Sequence, residues 1–273
     1  MPRIVYCTGL TGFIGRNLLP HLLQRYDQVI NFQRNQQYQL MDKNGTDIHP
    51  IDDLRSNNLS SNILINLATL YNPNPKSADE LADLINSNVT FQSQLIERLK
   101  NLNNLFVIST QSYMQLLPMA SQNQYSLTKE ILKKNFEQNE FHQSNLYLFD
   151  TFGEGDTRNK VVDVFINNIL RGQPITIPSH DVEINLSYVQ DVCTSIINSI
   201  DMDPGEYSIF SPNTILLEDL AKLIMNIMKK NVEILKEGDG QNFISQIKEL
   251  PLNIFPAVHS DFQKSILSKI KNI

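Results

Sequence analysis

Tyr125 and Lys129 stand four residues apart in Tyr125-Ser126-Leu127-Thr128-Lys129. On a helix that spacing puts a phenol and an ammonium on one face. A neighbouring ammonium favours the phenolate and lowers the phenol's pKa. Such a tyrosine can serve as proton donor or acceptor near neutral pH. Just upstream lies Ser109-Thr110-Gln111-Ser112. A hydroxyl there would polarise a carbonyl or steady an alkoxide beside Tyr125.

A second constellation opens the chain. Gly9, Gly12 and Gly15 form G-x-x-G-x-x-G between an apolar run and an amphipathic segment. Gly9 permits a tight turn, Gly12 lets a pyrophosphate approach the backbone, and Gly15 permits close helix packing. The helix that follows offers free amides and a favourable dipole to a phosphate. The next strand ends Asn31-Phe32-Gln33-Arg34-Asn35 and carries no acid there to hold a ribose 2′-hydroxyl. Arg34 is placed to pair with a 2′-phosphate, so NADP(H) is favoured. NAD(H) stays open, with Asn31 holding an unphosphorylated ribose.

These groups need a scaffold that brings several strand ends together. The pattern predicts strands over 4–7, 28–32, 63–67, 105–108 and 146–149, with helices over 16–25, 78–99 and 125–136 between them. Short apolar strands alternating with helices predict an α/β fold, a Rossmann-type doubly wound parallel sheet covered on both faces. Later the rhythm breaks. Helices are expected over 161–170, 191–200 and 217–228, and strands over 186–189 and 207–210. The expected organisation is a dinucleotide-binding domain over 1–151, to which 187–210 return. A smaller, discontinuous C-terminal substrate domain would comprise 152–186 and 211–273.

Composition excludes other classes. The 273 residues carry 23 Lys and Arg against 29 Asp and Glu, a formal charge of −6, which does not suit a protein that grips nucleic-acid phosphates. Cys7 and Cys193 are far apart and form no CxxC pair, so no zinc site or disulfide framework is indicated. The histidines are scattered, without HExxH, and no metal is expected. No apolar stretch approaches the roughly 20 residues of a membrane span. A reducing, cytoplasmic location is expected.

Together the motifs resemble the extended short-chain dehydrogenase/reductases, also called the NAD-dependent epimerase/dehydratase family. The resemblance rests on Thr8-Gly9-Leu10-Thr11-Gly12-Phe13-Ile14-Gly15, Asn66-Leu67-Ala68-Thr69, the hydroxyl-bearing strand end and Tyr125-Ser126-Leu127-Thr128-Lys129. Phe152-Gly153-Glu154-Gly155-Asp156 and Tyr188-Val189-Gln190-Asp191-Val192 extend it. It implies Ser112, Tyr125 and Lys129 as catalytic residues, with Thr110 competing for the hydroxyl role. It implies Gly9, Gly12, Phe13, Ile14, Gly15, Asn66, Ala68 and Lys129 around the cofactor, beside Arg34. Thr110, Asp150, Thr151, Phe152 and Arg158 would touch substrate. Ile184 stands where many relatives have an arginine for nucleotide phosphate, which leaves Arg158, Lys160 or Arg171 to supply the charge.

The stretch from Asn145 to Lys160 looks like the branch of CDP-abequose synthase-like nucleotide-deoxysugar 4-ketoreductases. The resemblance therefore implies NAD(P)H-dependent reduction of a 4-keto group on a nucleotide-linked deoxysugar. A nucleotide-sugar 4-epimerase with bound NAD, a reductase of other small carbonyls, and a non-catalytic dinucleotide-binding regulatory protein are the alternatives. A dehydratase fits less well, because Ser112 is followed by Tyr113-Met114 and not by an Asp-Glu pair. The expected partner is a nucleotide-linked sugar, with neither nucleic acid nor membrane. Relatives often form homodimers through the two long helices.

Overall fold

The computed structural model describes residues 2–56, 61–100, 102, 104–212, 214–254 and 260–271. The remaining residues of the expected domains lie outside these.

Strand β1 (Ile4–Thr8) is buried at all five positions, as a short apolar run must be in the middle of a parallel sheet. The glycine turn leads into α1 (Phe13–Arg25), which starts three residues before the apolar periodicity suggests. Strand β2 (Gln28–Phe32) pairs parallel with β1, Ile4 opposite Gln28 and Thr8 opposite Phe32. The polar stretch beyond β2 then folds into two strands that hydrophobic patterning does not reveal. They are β3 (Gln37–Met41) and β4 (Thr46–Pro50), each antiparallel to the strand before it. The hairpin turns at Asp42, whose carboxylate accepts from the amides of Asn44 and Gly45 at 2.7 and 3.1 Å.

After the short α2 (Asp53–Ser56) comes β5 (Ile63–Asn66). The single helix expected over 78–99 is α3 (Ala78–Ile85), a π-helical turn at Asn86–Thr90, and α4 (Phe91–Leu99). Ser77 caps α3, its hydroxyl accepting from Glu80 N at 3.2 Å. Strand β6 (Phe106–Ser112) leads to α5 (Gln124–Gln138), capped by Asn123. Strands β7 (His142–Leu148) and β8 (Asp150–Phe152) are separated only by Phe149.

The rest of the chain holds α6 (Val161–Arg171), β9 (Ile175–Ile177), β10 (Glu183–Tyr188) and α7 (Val189–Asn198). It continues with β11 (Gly205–Ile209), β12 (Thr214–Leu216), α8 (Leu217–Met228), β13 (Ile234–Lys236), β14 (Leu252–Asn253) and α9 (Phe262–Lys271). No helix among the described residues is long and apolar enough to cross a membrane.

The main sheet has nine strands in the order β14-β11-β7-β6-β5-β1-β2-β3-β4. All its pairings are parallel except β2 with β3 and β3 with β4. Alternate residues of β1 feed opposite layers, as the strand period of two requires. Val5 and Cys7 pack with Leu18, Leu22, Val192 and Ile196 from α1 and α7. Tyr6 packs with Phe91, Leu95, Leu132 and Phe136 from α4 and α5. This is the doubly wound Rossmann arrangement. A separate core joins Phe152, Phe165, Leu186, Leu220, Ile224 and Ile266 around a small sheet ordered β12-β10-β8. The main sheet reverses its strand order around β1. The crevice at the carboxyl ends of β1, β5, β6 and β7 is where such folds take ligands.

Candidate active site

A cleft of about 640 Å³ opens at those strand ends. One wall is the glycine turn. Gly9 has a φ of +73°, and a Cβ there would lie 2.6 Å from Ala68 N. A Cβ on Gly15 would lie 2.3 Å from Gly9 O. Both positions therefore demand glycine on backbone grounds. Gly12, the N-cap of α1, meets only Gly9 O at 3.2 Å and otherwise faces open space. No side chain caps this helix end and no acid occupies its first turn. The exposed amides, the glycine cradle and the positive end of α1 fit the pyrophosphate of a dinucleotide.

The turn is braced from beneath. Thr8 donates from its hydroxyl to Asn66 Oδ1 at 2.5 Å and accepts from Ala68 N at 3.0 Å. Asn31 accepts from Leu10 N at 3.3 Å and donates to Gln39 at 2.9 Å. Asn66, Ala68 and Arg34 do not line the cleft: Asn66 is buried against Thr8, and Arg34 is exposed at the turn between β2 and β3. Gly9, Gly12, Phe13, Ile14 and Gly15 do line it.

The opposite end of the cleft holds Ser112, Tyr125 and Lys129 together. Strand β6 delivers Ser112 and the first turn of α5 delivers Tyr125, with Lys129 one turn on. Lys129 is 2% exposed and donates to Thr110 O at 2.9 Å. Burial pulls its ammonium down to about 7. Burial also pushes the Tyr125 phenol up to about 12, against the pull of Thr69, Arg158 and Ser112. Desolvation outweighs the Arg158 charge and the two hydroxyls that favour the phenolate.

The two candidate hydroxyls separate cleanly. Thr110 donates to Asn66 O at 3.2 Å, within the sheet. Ser112 Oγ accepts from Met114 N at 3.3 Å, which leaves its own proton free to donate, and its side chain interacts with the phenol. A third hydroxyl, Thr69, also reaches Tyr125. Thr69 and the neighbouring Leu70 amide both donate to Asn88 Oδ1, at 3.3 and 2.7 Å. Asn88 donates in turn to Leu70 O and to Thr128 on α5, each at 3.1 Å. Gln92 donates to Ala68 O at 3.0 Å. The π-helical turn carries Asn88, so the local widening of that helix sits where it positions the active-site loop. Sequence reading passed over Asn88 and Gln92. Their signal is two amides at the i, i+4 positions that follow Leu84 on an otherwise apolar stripe.

The remaining wall comes from residues 149–160. Asp150, Thr151 and Arg158 line the cleft, as do Tyr71, Tyr113 and Lys160. Burial raises the Asp150 carboxyl above the usual range, with Lys160 and Arg158 pulling it back. Tyr71 meets Tyr125 edge to face at 5.1 Å, and the Lys160 ammonium lies 3.7 Å over the Tyr71 ring. Phe152 is 1% exposed and packs with Tyr188 and Phe262, so it supports this wall from inside the second core without facing the cleft. Among the described residues no group of three or more His, Cys, Asp or Glu is placed to hold a metal ion.

Comparison with known proteins agrees with this geometry. Residues 5–209 match the model of the NAD dependent epimerase/dehydratase family. CDP-abequose synthase of Yersinia pseudotuberculosis is 26% identical over 290 residues, covering 98% of this chain and 99% of its own. The Bordetella bronchiseptica enzyme WbmH, solved with NAD+, superimposes with a TM-score of 0.74 at 14% identity, covering 100% of this chain and 98% of its own. UDP-glucose 4-epimerase of Thermotoga maritima, solved with UDP-glucose, gives 0.74 at 15% identity, with 98% of each chain covered. A matched span that runs from β1 through β11, over a glycine cradle and a Ser-Tyr-Lys set at one cleft, places this chain in the NAD dependent epimerase/dehydratase family.

Proposed function

We propose that this chain reduces the 4-keto group of a nucleotide-linked deoxysugar, with NAD(P)H as reductant. The observation that carries the reading is a single cleft that brings the Tyr125 phenol together with Ser112 and Lys129, in a chain related over its length to CDP-abequose synthase. A protonated phenol is a proton donor, which is the form a carbonyl reduction consumes. The full-length relationship to CDP-abequose synthase supports the same class of substrate.

A reduced nicotinamide cofactor, held by the glycine turn and Lys129, would supply hydride to the carbonyl carbon. The chain's own residues handle everything else. Tyr125 gives its proton to the carbonyl oxygen as negative charge develops there. The Ser112 hydroxyl, with its proton free, donates a hydrogen bond to that oxygen. Lys129, anchored on Thr110 O, stands one helical turn beneath the phenol and offers its nitrogen to the nicotinamide ribose. Thr110, Asp150 and Thr151 form the polar wall against which the sugar nucleotide is oriented.

NADP(H) remains the favoured cofactor in this reading. No acid stands at the end of β2, Arg34 is exposed there, and Asn31 already spends its amide on Leu10 and Gln39. A cytoplasmic homodimer belongs to the same reading. Both cysteines are free and buried, and α3 and α5 expose Ile85, Leu127 and Ile131. The test mixes purified protein with NADPH or NADH and a panel of CDP-, dTDP-, GDP- and UDP-linked 4-keto-deoxysugars. Loss of reduced-nicotinamide absorbance with one of them, abolished in Tyr125→Phe, is the expected result. Tightly retained NAD with interconversion of two sugars and no net consumption would overturn it in favour of epimerisation.

A further inference from the structure

Arg158 enters the cleft from the second lobe, on the loop after β8, where sequence reasoning places it against the substrate. Its geometry points elsewhere. The guanidinium carbon lies 4.5 Å over the ring of Phe13, the first residue of α1. Phe13 directly follows Gly12, the N-cap of that uncapped helix end, and Gly12, Phe13 and Arg158 line the same cleft. Its orientation is built in. Nε donates to Asp156 Oδ1 at 2.7 Å, and Nη2 donates to Asp156 Oδ2 at 2.8 Å and to Thr151 O at 2.7 Å. The Asp156 side chain is 0% exposed, while Arg158 keeps 32% of its side chain open. Nη1 has no hydrogen-bond partner among the described residues.

We propose that Arg158 is a clamp from the second lobe onto the pyrophosphate of the dinucleotide bound at the α1 N-terminus, and not a ligand of the substrate's phosphates. The proposal rests on the reading that the cleft holds a dinucleotide. An anion on the α1 amides would share the cleft with this guanidinium. Asp156 fixes the fork in one plane and leaves Nη1 to reach the anion. The fork therefore pays little rotamer entropy on binding. The charge left for the substrate side of the cleft is Lys160, which lies farther along the same loop over Tyr71.

The loop is tied to both lobes, which fixes where Arg158 stands. Arg16 donates to Gly155 O at 3.1 Å and Asn17 to Glu154 O at 3.3 Å, both from α1. From α9, Lys269 donates to Asp156 O at 3.3 Å and pairs with Asp163 at 2.6 Å.

Calorimetric titration with ADP-ribose and with its 2′-phosphate tests the assignment, with CDP and UDP as probes of the substrate side. Arg158→Met is expected to weaken the better of the two ADP-riboses by about 10- to 100-fold, the scale of lost charge-assisted hydrogen bonds. CDP and UDP affinities should stay within about twofold. Arg158→Lys, which lacks the planar fork, should recover only part of the loss. On the unsubstituted protein, the ADP-ribose should shield Arg158 from phenylglyoxal while CDP does not. This measurement decides the matter should the Met variant fail to fold. An unchanged ADP-ribose affinity, a loss confined to CDP or UDP, or shielding by CDP alone would each overturn the clamp. Failure of the unsubstituted protein to bind either ADP-ribose would overturn the dinucleotide reading itself, and the clamp with it.

Discussion

The two walls of the cleft are made of different material. The wall at β1 and α1 is backbone: three glycines, the amides of a helix end, and a brace of Thr8, Asn31 and Asn66 behind them. The wall at 149–160 is side chains, held by the Asp156–Arg158 pair, the Glu154 carboxylate and a helix more than a hundred residues away. Glu154 accepts from Tyr188 at 2.8 Å and from Ser268 of α9. A backbone wall is fixed by sterics and suits a ligand common to a whole family. A wall of side chains can be rebuilt one substitution at a time, which suits a substrate that varies between relatives.

The contrast can be broken or sharpened by substitution. The largest expected effect belongs to neither wall. Tyr125→Phe should lower kcat by about 10²–10⁴, the usual worth of a positioned acid, and leave ADP-ribose and CDP affinities unchanged. Any large change in affinity would mean that Tyr125 builds a wall as well as donating a proton. Next comes Lys269→Met, which strands Asp163 in a buried site where the paired side chains are 4% and 10% exposed. Breaking such a pair costs about 3–5 kcal/mol, so urea unfolding should shift strongly. A small shift would show that the second wall does not lean on α9.

Gly9→Ala strikes the backbone wall. Its φ of +73° and the 2.6 Å approach to Ala68 N should cost about 1–3 kcal/mol and weaken ADP-ribose binding, with CDP unaffected. The most diagnostic effect is a pH slope. Lys129 has its folded pKa pulled down to about 7 from 10.5. Between those values the unfolded chain holds the proton and the folded chain does not, so this group makes stability rise with pH. Lys129→Met should therefore be most stabilised relative to the parent at and below about pH 7, with the gap closing toward pH 10.5. A gap that stays constant across that range would mean Lys129 remains charged in the folded cleft.

What was legible in the sequence follows the same division. The glycine turn could be read because only glycine tolerates the positive φ of Gly9 and the 2.3 Å approach at Gly15, so the residue type reports the backbone. Tyr125, Lys129 and Ser112 could be read because helix and strand periods place them, and the structure brings all three to one cleft. The direction of the Tyr125 shift could not, since burial is a property of the assembled fold. The hairpin β3–β4 escaped because its residues alternate weakly and Ile48 faces solvent, 59% exposed. The contact of Arg158 with Phe13 escaped for a different reason. It is set by Asp156 two residues away and by Phe13 at the other end of the chain, and no local pattern carries that contact.

The most direct test of the central claim follows the hydride and the proton separately. The protein is given a 4-keto-deoxysugar nucleotide with NADPH or NADH deuterated at the transferred position, and the product is read by NMR and mass spectrometry. Reduction with Tyr125 as proton donor requires one deuterium at the former carbonyl carbon, one proton on its oxygen, and an equal amount of oxidised cofactor. A sugar that changes configuration without gaining deuterium, or a rate untouched in Tyr125→Phe, would contradict it.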